Sequence, residues 1–253
     1  EMTAYKNYVA PFTKQDIVID GKAHEAIWDS ISFTSNFVDI KSIEIPSLET
    51  KTKILWDHKN IYFYIEMEDD HIWSNMTEKD GPLHNENTVE IFIDPNDDGE
   101  NYIEIQINPN NTLLDLKMDK PYRKGGEADI NFDLRNIRHA VCHKGSINNN
   151  LDEDSFWSIE LSVPFAALKS INTLSKIGNS SSPYLRMNLC RVHWPFIIED
   201  GKYKKDVSKK PKFWVWQKQK KIDNHIPEDW GYLHFSKALL GIELDLSKNE
   251  DQN

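Results

Sequence analysis

VEIFIDPNDDGENYIEIQIN, residues 89–108, contains two alternating runs joined by an acidic loop. Successive strand residues point to opposite faces, so Val89, Ile91 and Ile93 share one side and Glu90, Phe92 and Asp94 the other. In the second run Ile103, Ile105 and Ile107 are the apolar side, opposite Tyr102, Glu104, Gln106 and Asn108. A slip of one residue would mix the two faces. Burial of the isoleucines therefore predicts a hairpin with Ile93 opposite Ile103 and Ile91 opposite Ile105. That register sets Glu90 across from Gln106, flanked diagonally by Glu104 and Asn108. The polar row is either a ligand-binding face or the solvated outer face of a half-buried antiparallel sheet.

The connecting loop alternates Asp94, Asn96 and Asp98 and then has Gly99. This is the first half of the oxygen-ligand pattern that wraps calcium, with glycine at the sharp turn. The position of the bidentate glutamate is Ile105, and strands flank the loop, so it is no EF-hand. Calcium held here would need carboxylates from elsewhere, such as Asp69, Asp70 or Glu100. An Asp/Asn/Gly-rich turn without an ion is the other reading.

Outward from the hairpin, strand-like runs are predicted at 17–19, 52–55, 61–67, 112–118, 137–143, 156–163, 185–192, 213–216 and 231–235. They are short, rich in β-branched and aromatic residues, and punctuated by Asn, Asp, Gly and Pro. This is the pattern of an all-β antiparallel β-sandwich. Helical signal is confined to 23–29 and to 165–170, where Pro164 suits a helix start. No internal repeat is present, and the Ser/Asn/Gly stretches at 145–150 and 178–182 are too short to link domains. One domain over residues 1–246 is expected, with a frayed acidic tail at 247–253.

The 253 residues are 39% hydrophobic, and no stretch is apolar for long enough to span a membrane. A formal charge of -11 argues against nucleic acid or an anionic membrane surface as partner. The lysine-rich segment 202–221 around Trp214 and Trp216 is locally basic, either a solvated loop or a contact for an anionic glycan. Two cysteines, Cys142 and Cys190, are too few for a disulfide scaffold and are read as buried thiols or one bridge. The opening EMTAYKNYVAPF has no basic n-region followed by an apolar h-region, so export is not legible there. Asn-X-Ser/Thr triplets occur at Asn75, Asn110 and Asn179 and receive no role.

Several segments in order resemble the family 9 carbohydrate-binding modules. They are IDGKAHEAIW (19–28), TKILWDHKNIYFYIEMEDDHIW (52–73), the hairpin, PYRKGGEADINFDLR (121–135), WSIELSVPFAAL (157–168), LRMNLCRVHW (185–194) and HIPEDWGYLHFS (225–236). The nearest likeness is to longer, poorly characterised bacterial members that also carry the WVW and HIPEDWG segments. The resemblance implies a DOMON-like, immunoglobulin-like jelly-roll sandwich and noncatalytic binding of a plant or microbial oligo- or polysaccharide. It also implies structural calcium, glycoside hydrolases as partners, and a secreted, periplasmic or cell-surface location. Aligned on VEIFID, the family's binding glutamate falls on Glu90 and its binding asparagine on Asn108, while Gln106 replaces an arginine. The two stacking tryptophans of the family fall on His84 and Asn224. If sugar binds, another aromatic must meet its C–H face; Trp73, Trp194, Trp216 and Trp230 are the candidates, and His225 lies in the matching loop.

Two other functions compete. Glu90 and Glu104 could be the carboxylate pair of a glycoside hydrolase, which requires a separation of roughly 5 to 10 Å and one raised pKa. Related sandwiches hold haem between methionine and histidine, for which Met67 with His71, or Met118 with His139, are available, without specific spacing.

Overall fold

The structure is a computed structural model that describes residues 4–172, 174–178, 181–237 and 242–244. The expected tail at 247–253 and the triplet at Asn179 lie outside the described residues. Among those described, strands form a ten-stranded sheet, a four-stranded sheet and a two-stranded ribbon.

The first half of the chain supplies β1 (Asn7–Pro11), β2 (Val38–Asp39), β3 (Thr50–Trp56), β4 (Asn60–Glu68), β5 (Thr88–Asp94), β6 (Tyr102–Ile107) and β7 (Leu113–Met118). There follow β8 (Ala128–Asp129), β9 (Arg138–Lys144), β10 (Phe156–Pro164), β11 (Tyr184–His193), β12 (Phe196–Glu199) and β13 (Lys202–Lys205). The last are β14 (Lys212–Val215), β15 (Gly231–Ser236) and β16 (Ile242–Leu244). The large sheet runs β16-β1-β15-β11-β5-β6-β7-β8, with β14 and β2 branching from β11; the small one runs β3-β4-β10-β9. Pairing is antiparallel except between β1 and β15. The predicted hairpin register is present, with Ile93 opposite Ile103, Ile91 opposite Ile105 and Glu90 opposite Gln106.

The core lies between the sheets. Val89, Ile91 and Ile93 from β5 and Ile103, Ile105 and Ile107 from β6 meet Phe63, Ile65 and Met67 from β4 and Trp157, Ile159 and Leu161 from β10. These positions alternate along each strand, which fixes the faces. Arg191 on β11 also points inward. Its guanidinium donates to Asp69 Oδ2 at 3.1 Å and the Glu68 carbonyl at 2.7 Å, joining the large sheet to the end of β4 in the small one.

Both outer faces are covered too. Over the small sheet lie Ile17, Trp28 and Ile31, packed on Leu55, Tyr62 and Tyr64. Residues 17–19, expected as a strand, are irregular instead. Their backbone is held by side chains: Val18 N–H donates to Glu25, and Asp20 and Gly21 N–H donate to the same Glu160 oxygen at 2.9 and 3.2 Å. Gly21 has φ 87°, and a Cβ there would stand 2.7 Å from the Cys142 nitrogen, so only glycine fits. The two helices foreseen in the sequence are the short segments Ala26–Asp29 and Phe165–Lys169. Cys142 and Cys190 are free thiols on different sheets, which excludes the bridge.

Candidate functional site

The outer face of the large sheet carries the polar row. Across β11, β5, β6 and β7 one line of neighbours is Cys190, Glu90, Gln106 and Leu114, and the next is Asn188, Phe92, Glu104 and Leu116. The row is neither open nor solvated: Glu90 is 6% exposed and Gln106 3%. An apolar cluster surrounds it, with Leu114, Leu116 and Met118 on one side and Cys190, Val192 and Val215 on the other, beneath Ile40, Leu83 and Trp230. Parity placed these residues on one face, and loops from distant parts of the chain then buried it.

Hydrogen bonds define the row. Glu90 Oε2 accepts from Asn224 Nδ2 at 3.0 Å, and Glu104 Oε1 accepts from Gln106 Nε2 at 2.6 Å. His225 stands beside Glu104, with Nε2 3.3 Å from Oε2, while its Nδ1 shares a hydrogen bond of 2.8 Å with the Tyr102 hydroxyl. Trp230 Nε1 donates to the Asn224 carbonyl at 2.9 Å and holds that loop against the sheet. Burial, reinforced by the nearby Glu104 charge, pushes the Glu90 carboxyl well above the usual carboxylate range. The Cys190 thiol is raised by burial in the same surroundings. Two buried acceptors of the cluster, Gln106 Oε1 and Asn224 Oδ1, have no hydrogen-bond partner.

An aromatic borders the site that the sequence reading did not single out. Tyr122, in the 3-10 turn Tyr122–Lys124, is 51% exposed, and its ring meets His225 edge to face at 4.8 Å. Arg123 beside it donates to the His225 carbonyl and pairs with Glu228, tying this turn to the 225–230 loop. The available signal was an aromatic in the Pro-Tyr-Arg-Lys-Gly-Gly turn of a segment that carries part of the resemblance.

The remaining candidates divide. His84 is exposed, and its carbonyl accepts from Trp194 Nε1 at 3.0 Å. Trp194 is half-buried and carries Lys205 Nζ 4.1 Å from its ring centroid. Its backbone N–H donates to Asn87, whose buried Nδ2 has no partner. Asn108 faces the same side of the sheet but is occupied within the fold. Its Nδ2 donates to Ser74 Oγ and the Met76 carbonyl, and its Oδ1 accepts from the Asn110 and Thr112 backbones, which uses every hydrogen bond an amide can make. Three tryptophans proposed as platforms are fully buried and present no face to a ligand. Trp73 stacks on Tyr203 at 6.3 Å, Trp216 packs between the sheets, and Trp230 lies against Phe92 and Tyr102.

The acidic loop closes on itself. Asp94 Oδ1 accepts the Asn96 and Asp97 backbone N–H groups and Oδ2 accepts that of Gly99, while Asn96 Nδ2 donates to Asp98. Asp69 is turned to Arg191. Among the described residues no three carboxylate, imidazole or thiolate side chains converge as a cation cage. Calcium takes six to eight oxygens; here the Asp94, Asn96 and Asp98 side chains are engaged with one another and with the loop backbone. For haem, Met67 is buried in the inter-sheet core and His71 Nδ1 pairs with the Tyr203 hydroxyl, while His139 Nδ1 pairs with Asn111. Much of the basic segment is paired, as in Lys204 with Glu199, Lys212 with Glu44 and Lys220 with Asp229.

Residues 19–133 match the family described as "Carbohydrate family 9 binding domain-like". No curated protein matches the chain. A protein from Bacteroides uniformis, provisionally described as carbohydrate-binding, superposes with a TM-score of 0.67 at 15% identity, covering 92% of this chain and 100% of its own. Family 9 carbohydrate-binding modules from Caldicellulosiruptor kristjanssonii, in complex with glucose and with cellotriose, give TM-scores of 0.58 and 0.56 at 16% identity. They cover 92% of this chain and 97% and 95% of theirs. These likenesses show that the fold is that of the family's β-sandwich.

Proposed function

We propose that this chain, family 9-like over residues 19–133, is a noncatalytic carbohydrate-binding module that takes its ligand at the Glu90, Glu104 and Gln106 row. One observation carries the reading: the fold sets Glu90, on which the resemblance places the family's binding glutamate, beside two buried amide oxygens that lack partners. Unsatisfied buried acceptors cost about 1 to 3 kcal/mol each, and a ligand donor would recover it. The exposed Tyr122 ring supplies an apolar face at the rim, where sugar C–H groups need one. Support of glycan degradation, with hydrolases as partners and a secreted, periplasmic or cell-surface location, fits this role.

Glycan arrays followed by calorimetry with soluble oligosaccharides test it. Glu90→Ala should weaken a detected affinity by about 10- to 100-fold, the range for one hydrogen bond to a carboxylate. An unchanged affinity in that variant, or no binding across the array, would remove the reading.

A further inference from the structure

The amide atoms of the polar row that have no partner are both acceptors. Gln106 Nε2 already donates to Glu104, and Asn224 Nδ2 already donates to Glu90. What these four residues leave open is the amide oxygens of Gln106 and Asn224, both without partners, beside two carboxyl groups. Both His225 nitrogens are engaged, with Tyr102 and Glu104, and the Trp230 indole N–H is engaged with Asn224. Among the described residues Glu90 has no ion pair, and His225 Nε2 stands 3.3 Å from Glu104 Oε2. Arg123, the nearby guanidinium, is held by the His225 carbonyl and Glu228.

A neutral hydroxyl brings lone pairs as well as a proton and is only half matched by such a lining. An ammonium brings three donors and no acceptor. It also brings a positive charge to Glu90, which has no ion pair among the described residues, and cation-to-carboxylate hydrogen bonds are the stronger kind. We infer that the site takes an amino sugar with a free, protonated amine, its ammonium set among Glu90, Glu104, Gln106 Oε1 and Asn224 Oδ1, with the ring toward Tyr122. This rests on the row being the sugar site.

Calorimetry at pH 6.5 with glucosamine and its short β-1,4-linked oligomers, against the N-acetylated forms and cello-oligosaccharides of equal length, tests it. The free-amine sugars should bind at least ten times more tightly than either neutral series. Glu90→Gln should reduce that preference to about twofold. The protein's net charge of -11 changes by one in this variant, so nonspecific attraction of a cation would leave the preference intact and would overturn the inference. The wild-type comparison decides the matter on its own if the variant fails to fold. Equal or tighter binding of the neutral sugars would overturn the amine preference while leaving the carbohydrate site standing. Absence of binding to every sugar would remove both.

Discussion

Glu160 on β10 is a carboxyl whose place was invisible in the sequence beyond its alternation. It lies outside the core, beneath the 20–21 turn; one oxygen accepts two backbone N–H groups and the other has no partner. Burial raises its pKa to about 7, against about 4.3 in an unfolded chain. A raised carboxyl favours folding while it is protonated. Its contribution is therefore full below about pH 4.3 and is lost as pH rises through about 7. The urea midpoint should fall between pH 5 and pH 8, and Glu160→Gln should flatten that fall. An identical slope in wild type and variant would assign the pH dependence to other groups. At the site, Tyr122→Ala should weaken sugar binding about three- to tenfold, the value of an aromatic contact. Because Tyr122 is half exposed, the thermal midpoint should hardly move. A binding constant within twofold of wild type would take Tyr122 out of the site.

Among elements, the β5–β6 hairpin needed nothing beyond its own residues. A one-residue slip would mix the two isoleucine rows with the polar ones, and the observed register keeps both rows buried. The acidic loop between the strands is different, because the same Asp-x-Asn-x-Asp-Gly string serves an ion or a self-closed turn. Backbone N–H groups of the loop donate to both oxygens of Asp94, as in a self-closed turn. The start of β15 is equally demanding. A Cβ on Gly231 would stand 2.5 Å from the Trp216 ring and 2.8 Å from the Lys6 carbonyl. Gly231→Ala should therefore lower stability by about 1 to 3 kcal/mol, as overpacking does, measured by urea unfolding. Since Trp230 precedes it and holds the Asn224 loop, sugar affinity should drop in the same variant. A neutral substitution would mean that the tryptophan can step aside freely.

Across the whole molecule, the Arg191–Asp69 pair joins the two sheets inside the core, at 3.1 Å and nearly free of solvent. Burial raises Asp69 to about 6 even though the guanidinium pulls it the other way, which marks how much desolvation this contact carries. Removing one partner leaves a buried charge alone, so Asp69→Ala should cost about 3 to 5 kcal/mol in denaturant unfolding. A loss below about 1 kcal/mol would mean that water reaches Arg191. The sequence by itself determined the sandwich, the hairpin register and the face on which Glu90, Glu104 and Gln106 lie, because alternation is a local property that burial makes unique. It did not determine what covers that face. Asn224, His225 and Tyr122 are brought to Glu90 and Glu104 from more than fifteen residues away, by loops whose paths have no period to read. The burial of Trp73 and Trp216 and the exposure of Tyr122 follow from that same packing. Which aromatics are core and which stand at the rim was a decision of the tertiary structure, since an aromatic side chain satisfies either place until its neighbours are known.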